Sequence, residues 1–358
     1  MRRINFWGIK PAVAAALAAA AALVASTAVA EEVSFRDKTI TMLIGSAAGG
    51  GTDATGRLLA PFFTKHLPGN PQIVVRNMPG ASGTTALNFA IAQTKPDGLT
   101  VIVGSSSNVD PLNYRTPQAH YKPTDFTYIG GAGRGGTMLV IRSEAQKRLH
   151  DKSTPPVVMG SIGGIPRSGM QVTAWGIEFL GWNARWVVGY RGTNDLAIAL
   201  ERGEIEMTST ANMFQLDKFD GGKAFKVIYQ SGAFENGKRV PRPEFPDVPL
   251  FSDAIKGKIQ DPLAQQAFDY WFNINAMDKW VAVLKGTPQP IVDVYRKAMI
   301  ASSKDPEFDA MSNKISEDLT LLSHDDTEHL IGALAETPDE ALTYMTDLLK
   351  KQGLHGRN

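Results

Sequence analysis

The stretch Thr39-Ile40-Thr41-Met42-Leu43-Ile44-Gly45-Ser46-Ala47-Ala48-Gly49-Gly50-Gly51-Thr52-Asp53-Ala54-Thr55-Gly56-Arg57-Leu58-Leu59-Ala60 decides the fold of this chain. The apolar run ending at Ile44 fits a buried strand, the small residues after it form a bare loop, and the apolar positions that follow recur at helical spacing. A helix that starts this way has unpaired N–H groups in its first turn and the positive end of its dipole at the loop. An anion fits there. Gly49, Gly50 and Gly51 let a ligand lie against the main chain, Ser46 and Thr52 offer hydroxyls and amides, and Ala47 and Ala48 complete the candidate contacts. Asp53 has three readings: a helix cap, an acceptor for a ligand hydroxyl or ammonium, or a brace that holds the loop through its own neighbours. For a glycine cluster alone, a tight turn that binds nothing is the competing reading.

The first thirty residues form a separate signal. Met1-Arg2-Arg3 and Lys10 make a basic start, Ala12 to Ala25 is an apolar run, and Ala28-Val29-Ala30 reads as a small-residue cleavage site. The run is shorter than the roughly 20 apolar residues of a membrane span, so export to the periplasm with cleavage after Ala30 is expected. The whole chain has 37 Lys+Arg and 36 Asp+Glu; without Arg2, Arg3 and Lys10 the balance is 34 to 36, a net charge of −2. That balance gives no electrostatic case for nucleic acid or anionic lipid. The remaining 328 residues exceed one typical domain and suggest two. With no cysteine there are no disulfides, thiolate metal sites or thiol catalysis.

Gln72 to Asn77 reads as a second strand, Ala86 to Gln93 as a helix, and Leu99 to Gly104 as a third strand leading into Ser105, Ser106, Ser107 and Asn108. Strand, helix, strand, helix, strand is the rhythm of a parallel sheet, whose ligands gather at the carboxyl ends of its strands. The loops at Ser46 to Thr52 and Ser105 to Asn108 therefore share one edge and are expected to face one another.

Gly49-Gly50-Gly51-Thr52-Asp53, Arg57-Leu58-Leu59-Ala60, Val74-Val75-Arg76-Asn77-Met78-Pro79-Gly80-Ala81-Ser82-Gly83 and Pro96-Asp97-Gly98-Leu99-Thr100 follow one another in an order and spacing that resemble the Bug-type solute receptors of tripartite tricarboxylate transporters. The resemblance continues at Asp125 to Gly130, Gly189 to Asp195, Gly203 to Glu206, Pro246 to Leu250 and Gly286 to Val292, and so spans nearly all of the chain after the leader. It implies an α/β, two-lobed periplasmic binding protein of the Venus-flytrap, type II-like kind, with a ligand cleft between the lobes. The implied division is 31–135 for the first part of lobe one, 136–250 for lobe two, and 251–358 for the return and the C-terminal helices. The implied partners are a small carboxylate and a two-part membrane permease, and the implied state is a monomer.

Lobe two repeats the opening motif in kind. Val157 to Ile162 is an apolar strand that enters a bare loop, Gly163 to Gly169, before a helix from Met170 to Leu180. Ser161, Gly163 and Ser168 are carried over from the resemblance as candidate contacts. At the next strand-to-helix turn Gly189 and Arg191 replace the proline and lysine usual in these receptors, so Arg191 brings a forked donor beside Gly192 and Thr193. Arg191 either clamps a carboxylate or sits solvated on the surface. The polar strand end Met207 to Asn212 is a candidate last wall, with Thr210 as its candidate contact.

Trp175, Trp182 and Trp186 read as core, with stacking on an aromatic solute as the alternative. Phe234 to Pro249, rich in proline and charge, reads as an exposed insertion that contacts the membrane partner. Trp271 to Lys285 is the expected last strand region, followed by helices that cover the first sheet. Gly131 to Gly136 satisfies the dinucleotide glycine pattern, but the following Thr137 to Ile141 reads as a strand where that motif requires a helix. Glu201, Glu204 and Glu206 read as a solvated face, and His324, His329, Asp325, Asp326 and Glu328 as a polar surface before the last helices. There is no GxSxG elbow, HExxH pair or Walker lysine. The expectation is a receptor without metal or cofactor and not an enzyme; a periplasmic hydrolase or lyase in the same cleft, or a sensor for a signalling receptor, are the alternatives.

Overall fold

The computed structural model describes residues 33–133, 135–162, 168–220, 223–315 and 319–354. The architecture below lies in the unit Phe35–Asn358. The leader and its cleavage site lie outside the described residues, as does Gly163.

Thirteen strands are described: β1 (Thr39–Ile44), β2 (Gln72–Asn77), β3 (Thr100–Ser105), β4 (Phe126–Gly133), β5 (Met138–Arg142), β6 (Val157–Ile162), β7 (Ala184–Tyr190), β8 (Met207–Thr210), β9 (Phe225–Gln230), β10 (Ala233–Glu235), β11 (Lys238–Val240), β12 (Lys279–Leu284) and β13 (Thr320–Leu322). Two sheets carry the fold, ordered β13-β4-β12-β3-β1-β2 and β7-β6-β8-β5-β9. The two-lobed α/β architecture expected from the sequence is the one observed. β1 pairs in parallel with both β2 and β3, so the rhythm read from the sequence holds there. Ile40, Met42, Leu43 and Ile44 are buried, as a strand inside a sheet covered on both faces requires. The edge strand β2 alternates between exposed and half-buried residues.

The principal helices are α1 (Gly51–His66), α2 (Thr84–Gln93), α3 (Val172–Phe179), α4 (Thr193–Arg202), α5 (Pro262–Ile274), α6 (Gln289–Ser303), α7 (His324–Ala335) and α8 (Asp339–Lys351). Among the described residues no helix is long and apolar enough to cross a membrane.

The chain crosses from the first sheet to the second between β4 and β5 and leaves the second after β9. These two passages run side by side: Ser231 N–H donates to Thr137 O at 2.9 Å, and Thr137 N–H to Ser231 Oγ at 2.8 Å. Gly136 has φ +98°, and a Cβ there would meet Gly232 O at 2.5 Å, so only glycine lets the passages lie this close. Gly131 and Gly133 fall inside β4, and a strand follows at β5, in keeping with the sequence argument against a nucleotide loop.

Five sequence expectations are corrected. Phe234 to Pro249 is not a plain loop, although most of its residues are exposed: β10 and β11 form a hairpin whose Asn236-Gly237 turn has positive φ at both residues. Phe234, Phe245 and Arg242 are buried. The Arg239 guanidinium lies 4.1 Å from the Phe272 ring centroid and donates to Gly232 O, and burial pushes its pKa down to about 9. The hairpin turn is held by Asp326, which accepts from Asn236 N–H at 3.1 Å and Gly237 N–H at 2.7 Å. Asp326 is therefore a brace rather than surface decoration, and Glu206 likewise leaves the solvated face to pair with Arg148.

Trp271 is helical, not part of a strand, and the strand is the shorter β12. β12 runs antiparallel between β3 and β4. Nor does the late chain cover only the first sheet. In α5, Phe268 and Trp271 pack on Trp175 of α3, with ring centroids 5.1 and 6.0 Å away. Beyond α8, Gln352 accepts from Trp186 Nε1 and donates to Ala174 O, while Lys351 pairs with Glu178. Trp175 and Trp182 are buried in this aromatic cluster, which fits the core reading.

Gly176 of α3 supports a stability test. Alanine would gain about 1 kcal/mol of helix propensity, but its Cβ would lie 2.1 Å from Trp182 Cε3, inside the buried indole. Overpacking of this kind costs about 1–3 kcal/mol. Gly176→Ala is therefore expected to lower the thermal midpoint; a raised midpoint would show that Trp182 moves aside freely.

Candidate functional site

β1 ends at Ile44, and α1 begins at Gly51 with Gly50 as its N-cap, in extended conformation and without a side-chain cap. The first intrahelical bond runs from Ala54 N–H to Gly50 O at 2.9 Å, so the amides of Gly51, Thr52 and Asp53 precede the ladder. Ala47, Ala48 and Gly49 are exposed, and Ser46, Gly50 and Thr52 half-exposed.

Asp53 lies beneath this loop, only 2% exposed. Its carboxylate accepts from Gly49 N–H at 2.8 Å, Asn77 Nδ2 at 2.8 Å and Arg57 Nε at 2.9 Å. Asn77 Nδ2 also donates to Ser46 O at 2.9 Å, and Arg57 Nη2 donates to Asn77 Oδ1 at 3.1 Å. Burial on its own would push the Asp53 pKa up. The hydrogen bonds from Arg57, Asn77 and Gly49, helped by the Arg57 charge, outweigh it and hold the pKa below the ordinary aspartate value. Of the three roles open to Asp53 in the sequence, the structure gives it the brace.

The neighbouring loop is strained. Gly80, Ala81, Ser82 and Gly83 have φ of +139°, +45°, +54° and +97° in succession, and left-handed non-glycine residues cost on the order of 1–3 kcal/mol each. Asn108 holds this loop, its Nδ2 donating to Ser82 O at 2.8 Å while its Oδ1 accepts from Ser105 N–H at 2.9 Å. A Cβ at Gly45 would lie 2.9 Å from Gly83 Cα. The β1–α1 loop thus packs against the Gly80–Gly83 loop, and Asn108, like Asp53, is a buried support.

A cavity of about 390 Å³ is lined from several parts of the fold. Ser106 comes from the end of β3, Thr137 from the first passage, and Met170, Thr193, Ser209 and Thr210 from the second sheet and its helices. Ile274, Asn275, Met277 and Asp278 close it from the segment between α5 and β12. Thr193 is the first residue of α4, preceded by the extended N-cap Gly192. Thr210 Oγ1 donates to Gln215 Oε1 at 2.7 Å, and Gln215 Nε2 donates to Asn194 Oδ1 at 3.0 Å, which ties the end of β8 to the start of α4.

Of the residues singled out in the sequence, the structure brings Ser106, Thr193 and Thr210 to this cavity. Ser46, Ala47, Ala48, Gly49, Gly50 and Thr52 form the outer loop and do not line it. Ser105 Oγ is turned to Ser107 Oγ at 3.0 Å. Ser161 is fully buried, its Oγ 3.6 Å from Met170 Sδ. Ser168 opens the short turn Ser168–Gln171 next to the cavity residues Gly169 and Met170. Arg191 is 92% exposed, paired at 3.1 Å with Asp195 one helical turn on, and takes no part in the cavity wall. Gly192 has nothing near where a Cβ would stand.

Sequence reasoning missed Thr137, Met170 and the wall from Ile274 to Asp278; Ser209 lies in the strand end Met207 to Asn212 that it offered as a last wall. It quoted Arg57 and Asn77 within the receptor-like pattern without assigning either a role. Their signal was present: polar residues held at fixed places among glycines and prolines serve the loop when they do not serve a ligand.

No family model matches the chain. In structure it is similar to a TctC solute-binding protein from Polaromonas, with a TM-score of 0.61 and 21% identity over 87% of this chain and 98% of that one. The fold is that of the TctC solute-binding proteins. A protein of R. palustris with adipate is similar at a TM-score of 0.51 and 20% identity, covering 89% of this chain and 98% of the other. In sequence, the chain is 40% identical over 101 residues to a UPF0065 protein in the gbd 5′ region of Cupriavidus necator. That match spans 28% of this chain and 29% of the relative.

Proposed function

We propose that the protein is an exported, periplasmic receptor that captures a small carboxylate by closing its lobes and delivers it to a two-part permease of a tripartite tricarboxylate transporter. The observation that carries this reading is the cavity itself: hydroxyls from both sheets, Ser106 on one side and Thr193, Ser209 and Thr210 on the other, meet around one space. The solved relative with adipate supports a carboxylate solute. In this reading lobe one comprises 31–135 with most of 251–358, lobe two comprises 136–250, and the receptor works as a monomer.

The solute favours the closed form by touching both walls at once, since only differential contacts shift the equilibrium. Amides at the start of α4 and the hydroxyls around it bind the anion by charge-assisted hydrogen bonds. A micromolar complex requires about −8 kcal/mol, which several such bonds in a water-poor cleft supply. Ser46 to Gly51, braced by Asp53, offer further amides as the lobes close.

The test is a thermal-shift screen of residues 31–358 against aliphatic, hydroxylated, amino and aromatic acids, each beside its amide. At about 100 times its dissociation constant a ligand adds roughly 2.7 kcal/mol of stability. An acid is expected to raise the midpoint while its amide does not. Stabilisation by neutral compounds alone, or by nothing in the screen, overturns the reading.

A further inference from the structure

We propose that Asn236-Gly237 is a site of spontaneous deamidation that Asp326 holds closed, and that its modification releases the β10–β11 hairpin irreversibly. Asn236-Gly237 is the one Asn-Gly pair in the 358-residue sequence. Both residues are exposed at the hairpin tip. Around Gly237 nothing lies within 4 Å of where a Cβ would stand, so the approach to its nitrogen is open.

The reaction needs only water. The Gly237 nitrogen bonds to Asn236 Cγ, the bond from Cγ to the side-chain nitrogen breaks, and the proton lost from Gly237 N–H leaves with that nitrogen as ammonia. Water then opens the cyclic imide at either carbonyl, which yields aspartate or isoaspartate at position 236.

The docked turn opposes the first step. Asn236 N–H and Gly237 N–H both donate to the Asp326 carboxylate, at 3.1 and 2.7 Å. Asp326 is only 7% exposed, and Ser323 Oγ donates to its Oδ2 at 2.9 Å, which fixes the acceptor. Attack requires the Gly237 nitrogen to give up the proton that Asp326 holds and to gain negative charge beside a carboxylate, which like charge disfavours. The site therefore opens only when the tip lifts from α7, a local event well short of global unfolding.

The product cannot return. The tip anchors the second passage to α7, which packs on β4, and Phe234 stacks on His329 of the same helix at 5.7 Å. Isoaspartate carries the main chain through the former side chain, so the turn between the paired Glu235 and Lys238 grows by one carbon. It also leaves a free carboxylate on the residue whose amide faces Asp326. A longer turn and a like charge both bar docking.

The test incubates three samples in mildly alkaline buffer far below the melting temperature: folded wild type, wild type unfolded in urea, and folded Asp326→Ala. Peptide mass mapping counts the exchange of amide for carboxyl at residue 236, and enzymatic methylation counts isoaspartate. The urea-unfolded chain is expected to react at least tenfold faster than the folded wild type, and Asp326→Ala at least threefold faster. Asp326→Asn, which keeps the shape but loses the charge, takes the place of Asp326→Ala if the latter does not fold, with the same threefold rise expected. A folded wild type that reacts as fast as the unfolded chain, or a folded variant no faster than wild type, overturns the guarding role of Asp326. Deamidated wild type, separated by its added negative charge, is expected to melt at a lower temperature than the unmodified protein; an equal midpoint overturns the release of the hairpin. Neither result depends on the solute, so the receptor reading stands or falls separately.

Discussion

Trp175→Ala is expected to lower stability by about 3–5 kcal/mol, the range for deleting a large aromatic side chain from a core. Trp175 is fully buried and packs on Phe179, Phe268 and Trp271, with ring centroids 5.8, 5.1 and 6.0 Å away. Phe179 lies one turn on in the same helix, whereas Phe268 and Trp271 lie one turn apart on α5, so the indole joins α3 to the late chain. Its Nε1 is buried with no hydrogen-bond partner among the described residues, a defect that costs about 1–3 kcal/mol. Trp175→Phe removes that donor along with part of the ring, so it is expected to lose much less than Trp175→Ala. Urea unfolding of both variants checks the ranking. If Trp175→Ala unfolds with wild type but loses ligand, the ring serves the solute and the core assignment fails.

What was legible in the sequence was local. The strand, glycine loop and helix from Thr39 to Ala60 are contiguous, and so are the apolar runs of β2, β3 and β6, each readable from a few neighbouring residues. The cavity was not, because its far wall depends on pairing between distant segments. Asn275 to Asp278 reach Ser106 only because β12 inserts antiparallel beside β3, with Lys279 opposite Ser105, and no short-range pattern specifies that register. The same reason hid the hairpin: Arg239 reads as a surface charge until Phe272 of a later helix is brought over it. Asp53 and Asn108 were found as polar residues at the right edge of the sheet, but whether a carboxylate or amide there faces a ligand or its own loop depends on where Asn77 and Ser82 stand.

Asp53→Asn is expected to weaken both the fold and the solute complex. The amide keeps the side chain's shape but removes its charge and turns a donor toward groups that are already donors: Gly49 N–H, Asn77 Nδ2 or Arg57 Nε. At least one donor of this part-buried network then lacks an acceptor, for which the fully buried cost of about 1–3 kcal/mol is an upper bound. Half of the Arg57 side chain is solvent-exposed, at 51%, so water screens that ion pair and the loss lies toward the lower end. In the receptor reading the effect on binding is larger than the effect on stability, because the loop from Ser46 to Gly51 has to be ordered by the ligand instead of by Asp53. At least a tenfold loss of affinity is expected by titration calorimetry. The pH dependence separates this brace from a passive buried carboxyl. A carboxyl whose pKa is depressed on folding contributes stability that is complete above its unfolded value of about 3.9 and disappears as pH falls through the lower folded value. The gap in urea midpoint between wild type and Asp53→Asn is therefore expected to be full at pH 7 and to narrow steadily below about pH 4. A gap that stays constant from pH 7 down to the acid limit of folding, or an Asp53→Asn variant with wild-type affinity, would show that the network beneath the loop does not hold it.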